Sequence, residues 1–123
     1  MADGWHMTGR EQDIQRAVFQ HIRLRGVPNL FAFHPANGGY RRPIEAKILQ
    51  GQGVKAGVPD VILIHAGHTW GLEIKVVGGR PTKHQLEALA AMEAAGATTA
   101  ITEGLDAALR QLEQWQLLRG HSG

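Results

Sequence analysis

Three charged residues near the middle of the chain have types and a spacing that suit chemistry on a phosphodiester. Asp60 stands at the start of the apolar run 61–64, and Glu73 and Lys75 lie two residues apart in the next apolar segment. Because side chains alternate between the two faces of a strand, Glu73 and Lys75 are predicted to share one face. If the two strands pair through a short turn at 65–68, the carboxylate of Asp60 converges with that of Glu73.

Two carboxylates and one ammonium group at a single point are what metal-assisted phosphodiester hydrolysis needs. Asp60 and Glu73 would bind Mg²⁺ or Mn²⁺, which offsets charge on the phosphate and lowers the pKa of its bound water. Lys75 would position that water and stabilise the developing negative charge. The alternative for Glu73 and Lys75 is a surface ion pair, which contributes little energy.

The Glu-x-Lys pattern by itself is a weak signal, because it occurs twice in the chain. Glu45-Ala-Lys47 also fits the pattern. It lies in a predicted helix, where residues two apart do not share a face. Pro-Asp at the start of one strand, followed by Glu-x-Lys between apolar residues in the next, is the more specific combination.

Hydrophobic periodicity and turn residues predict the elements that position these side chains. The predicted elements are a helix at 10–24, a strand at 30–33, a short helix at 43–50, strands at 61–64 and 69–77, a helix between Thr82 and Gly96, a strand at 98–102 and a helix at 105–118. This order predicts an α/β or α+β fold, in which a mixed central sheet is flanked by helices in a single domain.

Composition excludes several classes of protein. The 123 residues suffice for one core, and the absence of cysteine excludes disulfides and thiolate metal ligands. No apolar run could span a bilayer and no signal peptide is recognisable, so we expect a cytoplasmic location. The predicted domain covers 8–119. Residues 1–7 contain the His-Met of a common cloning scar and are either a tag remnant or native, and 120–123 are predicted to be flexible.

Positive charge is concentrated in the first two-thirds of the chain. Residues 10–83 contain 11 basic and 5 acidic side chains, although the net charge of the whole chain is only +2. This asymmetry favours an anionic partner such as DNA, with an ordinary solvated surface as the alternative. The predicted phosphate contacts lie in the loop after the first strand and in later basic positions: His34, Asn37, Arg41, Arg42, Lys47, Lys55, Arg80 and Lys83.

Three motifs together resemble the virus-type replication-repair nuclease (VRR-NUC) domain of the PD-(D/E)XK nuclease superfamily. They are Gly53-Val-Lys-Ala-Gly-Val-Pro-Asp60, Leu72-Glu-Ile-Lys75 and Thr82-Lys-His-Gln85, and the resemblance extends from about Glu11 to Leu117. It implies a restriction-endonuclease-like core and DNA cleavage that depends on Mg²⁺ or Mn²⁺. Stand-alone members of the family are associated with homodimers that act on branched DNA such as four-way junctions, and with DNA repair.

The resemblance also implies a role for individual residues. Asp60 and Glu73 correspond to metal ligands, and Lys75 corresponds to the catalytic lysine. The backbone carbonyl of Ile74 would be a further ligand. Glu11 would be the acid of the first helix that binds the metal, and Gln85 the glutamine that a helix places near the site.

Several of these residues have a plainer interpretation. Glu11 is three residues after Thr8 and Gln85 three after Thr82, so each could simply complete a capping box. Glu11 nevertheless lies within the apolar arc of its helix, where a buried acid requires a partner. For the whole chain, the alternative function is a non-catalytic DNA-binding module that retains a nuclease fold.

Overall fold

The computed structural model describes residues 9–36 and 42–120. Its elements, in chain order, are α1 (Gly9–Arg25), β1 (Phe31–Phe33), α2 (Pro43–Gly51), β2 (Val61–His65), β3 (His68–Lys75), α3 (Lys83–Ala94), β4 (Thr98–Glu103) and α4 (Leu105–Gln114). The predicted α+β order of helices and strands is confirmed. None of the helices among the described residues is both long enough and apolar enough to cross a membrane.

The last helix is shorter than the sequence predicts. It ends at Gln114, and Gln116 has a left-handed backbone with φ of 65°. The chain then turns back, so that Leu117 donates its N–H to the carbonyl of Leu112 over 2.9 Å. Both Leu117 and Leu118 are buried. Leu117 and Leu118 continue the apolar pattern of the helix because they too are buried. The chain reaches the core there through a capping turn and not through a further turn of helix.

The four strands form one mixed sheet in the order β1-β2-β3-β4. Strand β2 is antiparallel to both β1 and β3, and β4 is parallel to β3. Ala66 and Gly67 connect β2 to β3, and both have positive φ, as a two-residue turn between antiparallel strands requires. This tight turn fixes the register, with Val61 opposite Leu72.

One face of the sheet carries the hydrophobic core. Leu63, Leu72 and Ile74 are fully buried there and cluster with side chains of α1 and α4, such as Val18 and Leu112. Because cross-strand partners share a face and successive residues alternate, the neighbouring positions face the opposite side.

Helix α3 packs on that opposite side. A Cβ at Gly71 would lie 2.8 Å from Cγ of Pro59 and 3.0 Å from Cε of Met92, so a larger residue would require these side chains to move. Phe31 and Phe33 on β1 and Ile64 on β2 face the same side and are exposed. The face opposite the core is therefore covered over part of β3 and open over β1.

Candidate active site

The register of the hairpin brings Asp60 to Glu73. Val61 pairs with Leu72, so Asp60 lies opposite Glu73 one step beyond the last pair of the ladder. Directly opposed residues of antiparallel strands project from the same face. The two carboxylates therefore meet on the face that α3 covers, which is the convergence expected from the sequence.

Asp60 is buried and oriented by the backbone of β3. Its Oδ2 accepts the N–H of Ile74 over 2.8 Å, and only 9% of the residue is exposed. Burial raises the pKa of Asp60, because water can no longer solvate the charged form. The hydrogen bond from Ile74 opposes this rise in pKa, as does positive charge on His34 and Lys75.

Glu73 is buried even more completely, with 2% of its surface exposed. Its Oε2 accepts a hydrogen bond from Nε2 of Gln85 over 2.9 Å and lies 3.6 Å from Nζ of Lys75. Burial, followed by the negative charge of Asp60, raises the pKa of Glu73 to about 8, although Lys75 acts in the opposite direction. Without a further cation, the pair of carboxyl groups therefore retains a proton at neutral pH.

Gln85 makes hydrogen bonds both to the N-cap of α3 and to Glu73. It completes the capping box of α3, since its N–H donates to Oγ1 of Thr82 over 3.1 Å and its Oε1 accepts the N–H of Thr82 over 2.9 Å. These bonds fix the orientation of its amide, so Nε2 points to Glu73. The side chain of Gln85 thus caps α3 and orients Glu73 at the same time.

Gly57 allows the Pro59–Asp60 segment to reach the start of α3. Its φ is +78°, and a Cβ there would lie 2.3 Å from the carbonyl oxygen of His84 and 2.8 Å from the backbone nitrogen of Gln85. No other residue fits this close approach of two backbones. Sequence analysis placed Gly57 in a family motif, in the loop that leads to Pro-Asp, and did not predict this contact with α3.

His34 makes a contact that sequence analysis did not predict. Its Nδ1 lies 2.7 Å from the backbone carbonyl oxygen of Asp60. Because a carbonyl only accepts, this geometry assigns the proton to Nδ1 and leaves Nε2 as the atom for any contact with DNA. The start of the loop after β1 therefore contacts the backbone at the start of β2 directly.

Glu11 approaches the site from α1. Its negative charge raises the pKa of both Asp60 and Glu73. In the ranges 9–36 and 42–120, however, no three Asp, Glu or His side chains are close enough to one another to share a metal ion. Its predicted role as a direct ligand stays a prediction, and the side chains that meet at the site are Asp60, Glu73, Lys75 and Gln85.

The predicted phosphate contacts are dispersed over the surface. Arg42 pairs with Glu45 over 3.3 Å, and Lys83 lies 4.0 Å from Glu87. Asn37 and Arg41 lie outside the described residues. The remaining cations of this set are exposed side chains of α2 and of the loops: Lys47, Lys55 and Arg80.

The donor atoms at the site fit a hard divalent cation. Asp60 and Glu73 offer carboxylate oxygens, and Ile74 directs its N–H towards Asp60. The N–H and C=O of one strand residue face the same neighbour, so the carbonyl of Ile74 faces the edge that β2 leaves open beyond Val61. An all-oxygen set of this kind suits Mg²⁺ or Mn²⁺.

Comparisons with known proteins support the fold. No family model and no curated protein matches the chain. A solved structure named VRR_NUC domain protein superimposes with a TM-score of 0.74 and 23% sequence identity, over 95% of this chain and 96% of that one. The likeness that the three sequence motifs indicated is thereby confirmed, and this chain has the fold of a VRR_NUC domain protein.

Proposed function

We propose that this chain is a divalent-metal-dependent DNA endonuclease. The observation that carries the proposal is the cluster of two buried carboxylates beside one buried lysine, in which burial raises both carboxyl pKa values and the charge of Asp60 raises that of Glu73 further. Such a cluster destabilises the metal-free protein, and a bound cation would neutralise it. In a nuclease fold, such a surplus of buried negative charge is what we expect of a site that binds a metal ion next to a phosphate.

Each residue of the site then has a specific task. Asp60, Glu73 and the carbonyl of Ile74 would bind the cation, and Glu11 is the further ligand expected from α1. The bound metal would supply charge neutralisation and a water of lowered pKa. Lys75 is positioned to donate to the attacking water or to a phosphate oxygen. Gln85 keeps Oε2 of Glu73 in a fixed orientation, and the exposed cations would contact flanking phosphates.

The finer parts of the proposal concern the substrate and the assembly. We infer a homodimer that acts on branched DNA such as four-way junctions in DNA repair, because the sequence motifs resemble stand-alone members of the family. Helix α2 supports an interface: none of its residues is buried, and Ile44 and Ile48 are 66% and 56% exposed. Light scattering that shows only monomer at working concentration would contradict the homodimer.

The proposed function is tested by cleavage of labelled DNA. Four-way-junction, flap and linear duplex DNA are each incubated with Mg²⁺, Mn²⁺ or EDTA. We expect metal-dependent products with the wild type and with Glu45→Gln, which changes the Glu-x-Lys pattern on exposed α2. We expect none with Asp60→Ala. Products that persist in Asp60→Ala at the wild-type rate would exclude this site.

The non-catalytic DNA-binding module is the second candidate, favoured by the excess of basic residues in 10–83. It predicts a gel shift that weakens with salt and is unaffected by EDTA, with no products under any metal condition. The two buried carboxylates count against it, since a pure DNA-binding surface gains nothing from negative charge beside phosphates.

A further inference from the structure

Two exposed phenylalanines lie on the same side of the sheet as the candidate active site. Phe33 pairs with Ile62 and Phe31 pairs with Ile64. Ile62 and Ile64 alternate with the core residues of β2, as Asp60 does, so both phenyl rings project from the face that carries Asp60 and Glu73. Phe31 is 63% exposed and Phe33 is 39% exposed.

The two rings lie close to the candidate active site, and Phe33 is nearer to it than Phe31. With about 4.8 Å between strands and about 3.3 Å per residue, the Cα of Phe33 lies about 8 Å from that of Asp60, and that of Phe31 about 14 Å away. His34 follows Phe33 directly and bonds to the backbone of Asp60. The two rings therefore extend outward from the position expected for the reacting phosphate.

The geometry and charge of this surface suit nucleobases. The ring centroids are 5.8 Å apart and the ring planes differ by 54°, so the two rings are not stacked flat on each other. Neither β1 nor β2 contains an acidic residue. Aromatic rings on an open sheet face are a common platform for unpaired bases, because every base has a π-face.

A second copy of the chain fits this surface less well. The two rings expose roughly 200 Å² in total, estimated from the area of a phenylalanine side chain. A stable protein interface buries about 800 Å² on each partner. An aromatic pair this small, placed beside a phosphodiester site, favours a nucleic acid as its occupant.

We propose that Phe31 and Phe33 form a stacking platform for unpaired bases next to the cut, so that the preferred substrate carries single-stranded nucleotides within a few positions of the reacting phosphate. The proposal rests on the proposed function, because it takes the position of that phosphate from Asp60 and Glu73. Bases within an intact duplex are already stacked and cannot use the platform. The platform thus selects branched, gapped or flapped DNA over continuous duplex.

The test is binding of DNA that contains 2-aminopurine, a base whose fluorescence responds to stacking. The full chain is titrated in EDTA with a gapped DNA, carrying the probe in its single-stranded part, and with a blunt duplex. The variant Phe31→Leu/Phe33→Leu keeps apolar side chains but removes the π-faces. Leu24→Ala changes a side chain that is 80% exposed at the end of α1 and serves as the matched control.

We expect the double variant to bind gapped DNA at least about tenfold more weakly and to lose the fluorescence change. Its affinity for blunt duplex should stay within about twofold of that of the wild type. An equal loss on both DNAs, or no loss, would overturn the proposal. So would a shift from dimer to monomer in light scattering, because the rings would then belong to a protein interface.

A cleavage assay in Mn²⁺ separates this proposal from the proposed function. A wild-type protein that changes the probe fluorescence but cuts no DNA contradicts the nuclease and leaves the platform intact. A wild-type protein that cuts gapped DNA and duplex equally, without a fluorescence change, contradicts the platform alone.

Discussion

Two clusters of charged side chains among the described residues differ in balance: one is partly buried between α1 and α4, and the other is buried at the candidate active site. Nη2 of Arg25, at the end of α1, lies 2.7 Å from Oε2 of Glu113 on α4. Nη1 of the same guanidinium donates to the carbonyl of Arg119 over 2.6 Å, and its Nε donates to Nδ1 of His21 over 3.1 Å. One cation thus meets one anion and two neutral acceptors.

The second cluster has more acids than bases. Asp60 and Glu73 face Lys75, and Glu11 adds further negative charge from α1. A balanced pair such as Arg25–Glu113 fastens helices together and requires nothing more. An unbalanced buried cluster lowers the stability of the folded protein. A cation that binds from outside would offset this cost, so such a cluster indicates a candidate binding site. The two clusters therefore differ both in burial and in balance of charge, and it is the excess of negative charge at Asp60 and Glu73 that a bound cation would offset.

Removal of the single cation of the unbalanced cluster should have the largest effect. Lys75→Ala is expected to lower the cleavage rate at least about 100-fold, because its ammonium group lies beside Glu73, where it would stabilise charge at the phosphate. DNA affinity should stay within a few-fold of the wild type. Rates from single-turnover assays and binding by fluorescence anisotropy check both. A variant that cuts at the wild-type rate would show that the lysine is only an ion-pair partner.

The balanced pair should respond in stability and not in chemistry. Arg25→Ala leaves Glu113 without its cation and should lower the free energy of unfolding by about 2–3 kcal/mol. The cleavage rate per folded molecule should be unchanged. Replacement of both residues, as Arg25→Met/Glu113→Leu, should recover most of the loss. Urea denaturation curves of the three proteins test this, and a double variant as unstable as Arg25→Ala would contradict it.

The unbalanced cluster should make the metal-free protein sensitive to pH. The pKa of Glu73 is about 8 in the folded state, against 4.5 for an ordinary glutamate. The folded state therefore binds a proton that the unfolded state has lost, and stability should fall as pH rises through this window.

Thermal melting in EDTA from pH 4 to 9 measures this loss. Glu73→Gln carries no charge at any pH, so its melting temperature should fall less over the same window. Addition of Mn²⁺ at pH 8 should raise the melting temperature of the wild type and not that of the variant. Parallel pH profiles for the two proteins would mean that Glu73 is not the group responsible.

The smallest effect should come from the cap that serves both the helix and the site. Thr82→Ala and Gln85→Ala each remove one half of the capping box and should cost about 1 kcal/mol of stability. Only Gln85→Ala also removes the hydrogen bond to Glu73. It should therefore weaken Mn²⁺ binding about tenfold, as loss of a group that orients a ligand does. Calorimetry of Mn²⁺ binding compares the two variants, and equal affinities would reduce Gln85 to a capping residue.

Much of the fold and of the core of the site follows from local patterns. The period of two along β3 predicted that Glu73 and Lys75 share a face, and the short turn at 65–68 predicted that Asp60 lies opposite Glu73. Both follow from strand geometry alone. The end of α4 was not predictable in this way, because Leu117 and Leu118 continue the helical pattern after the helix has ended at Gln114.

The order of the elements follows from the sequence alone, as does the hairpin that brings two carboxylates and a lysine together, because both depend on side-chain periodicity and turn residues close in the chain. The distant groups that join them are brought there by the packing of the folded chain: Gln85 from α3, the charge of Glu11 from α1 and the imidazole of His34 from the loop after β1. The same packing buries the carboxylates and so raises their pKa values. Burial depends on how α3 packs on the sheet. The close approaches that accompany this packing, of Gly57 to the backbone at His84 and of Gly71 to the side chains of Pro59 and Met92, join residues far apart in the chain.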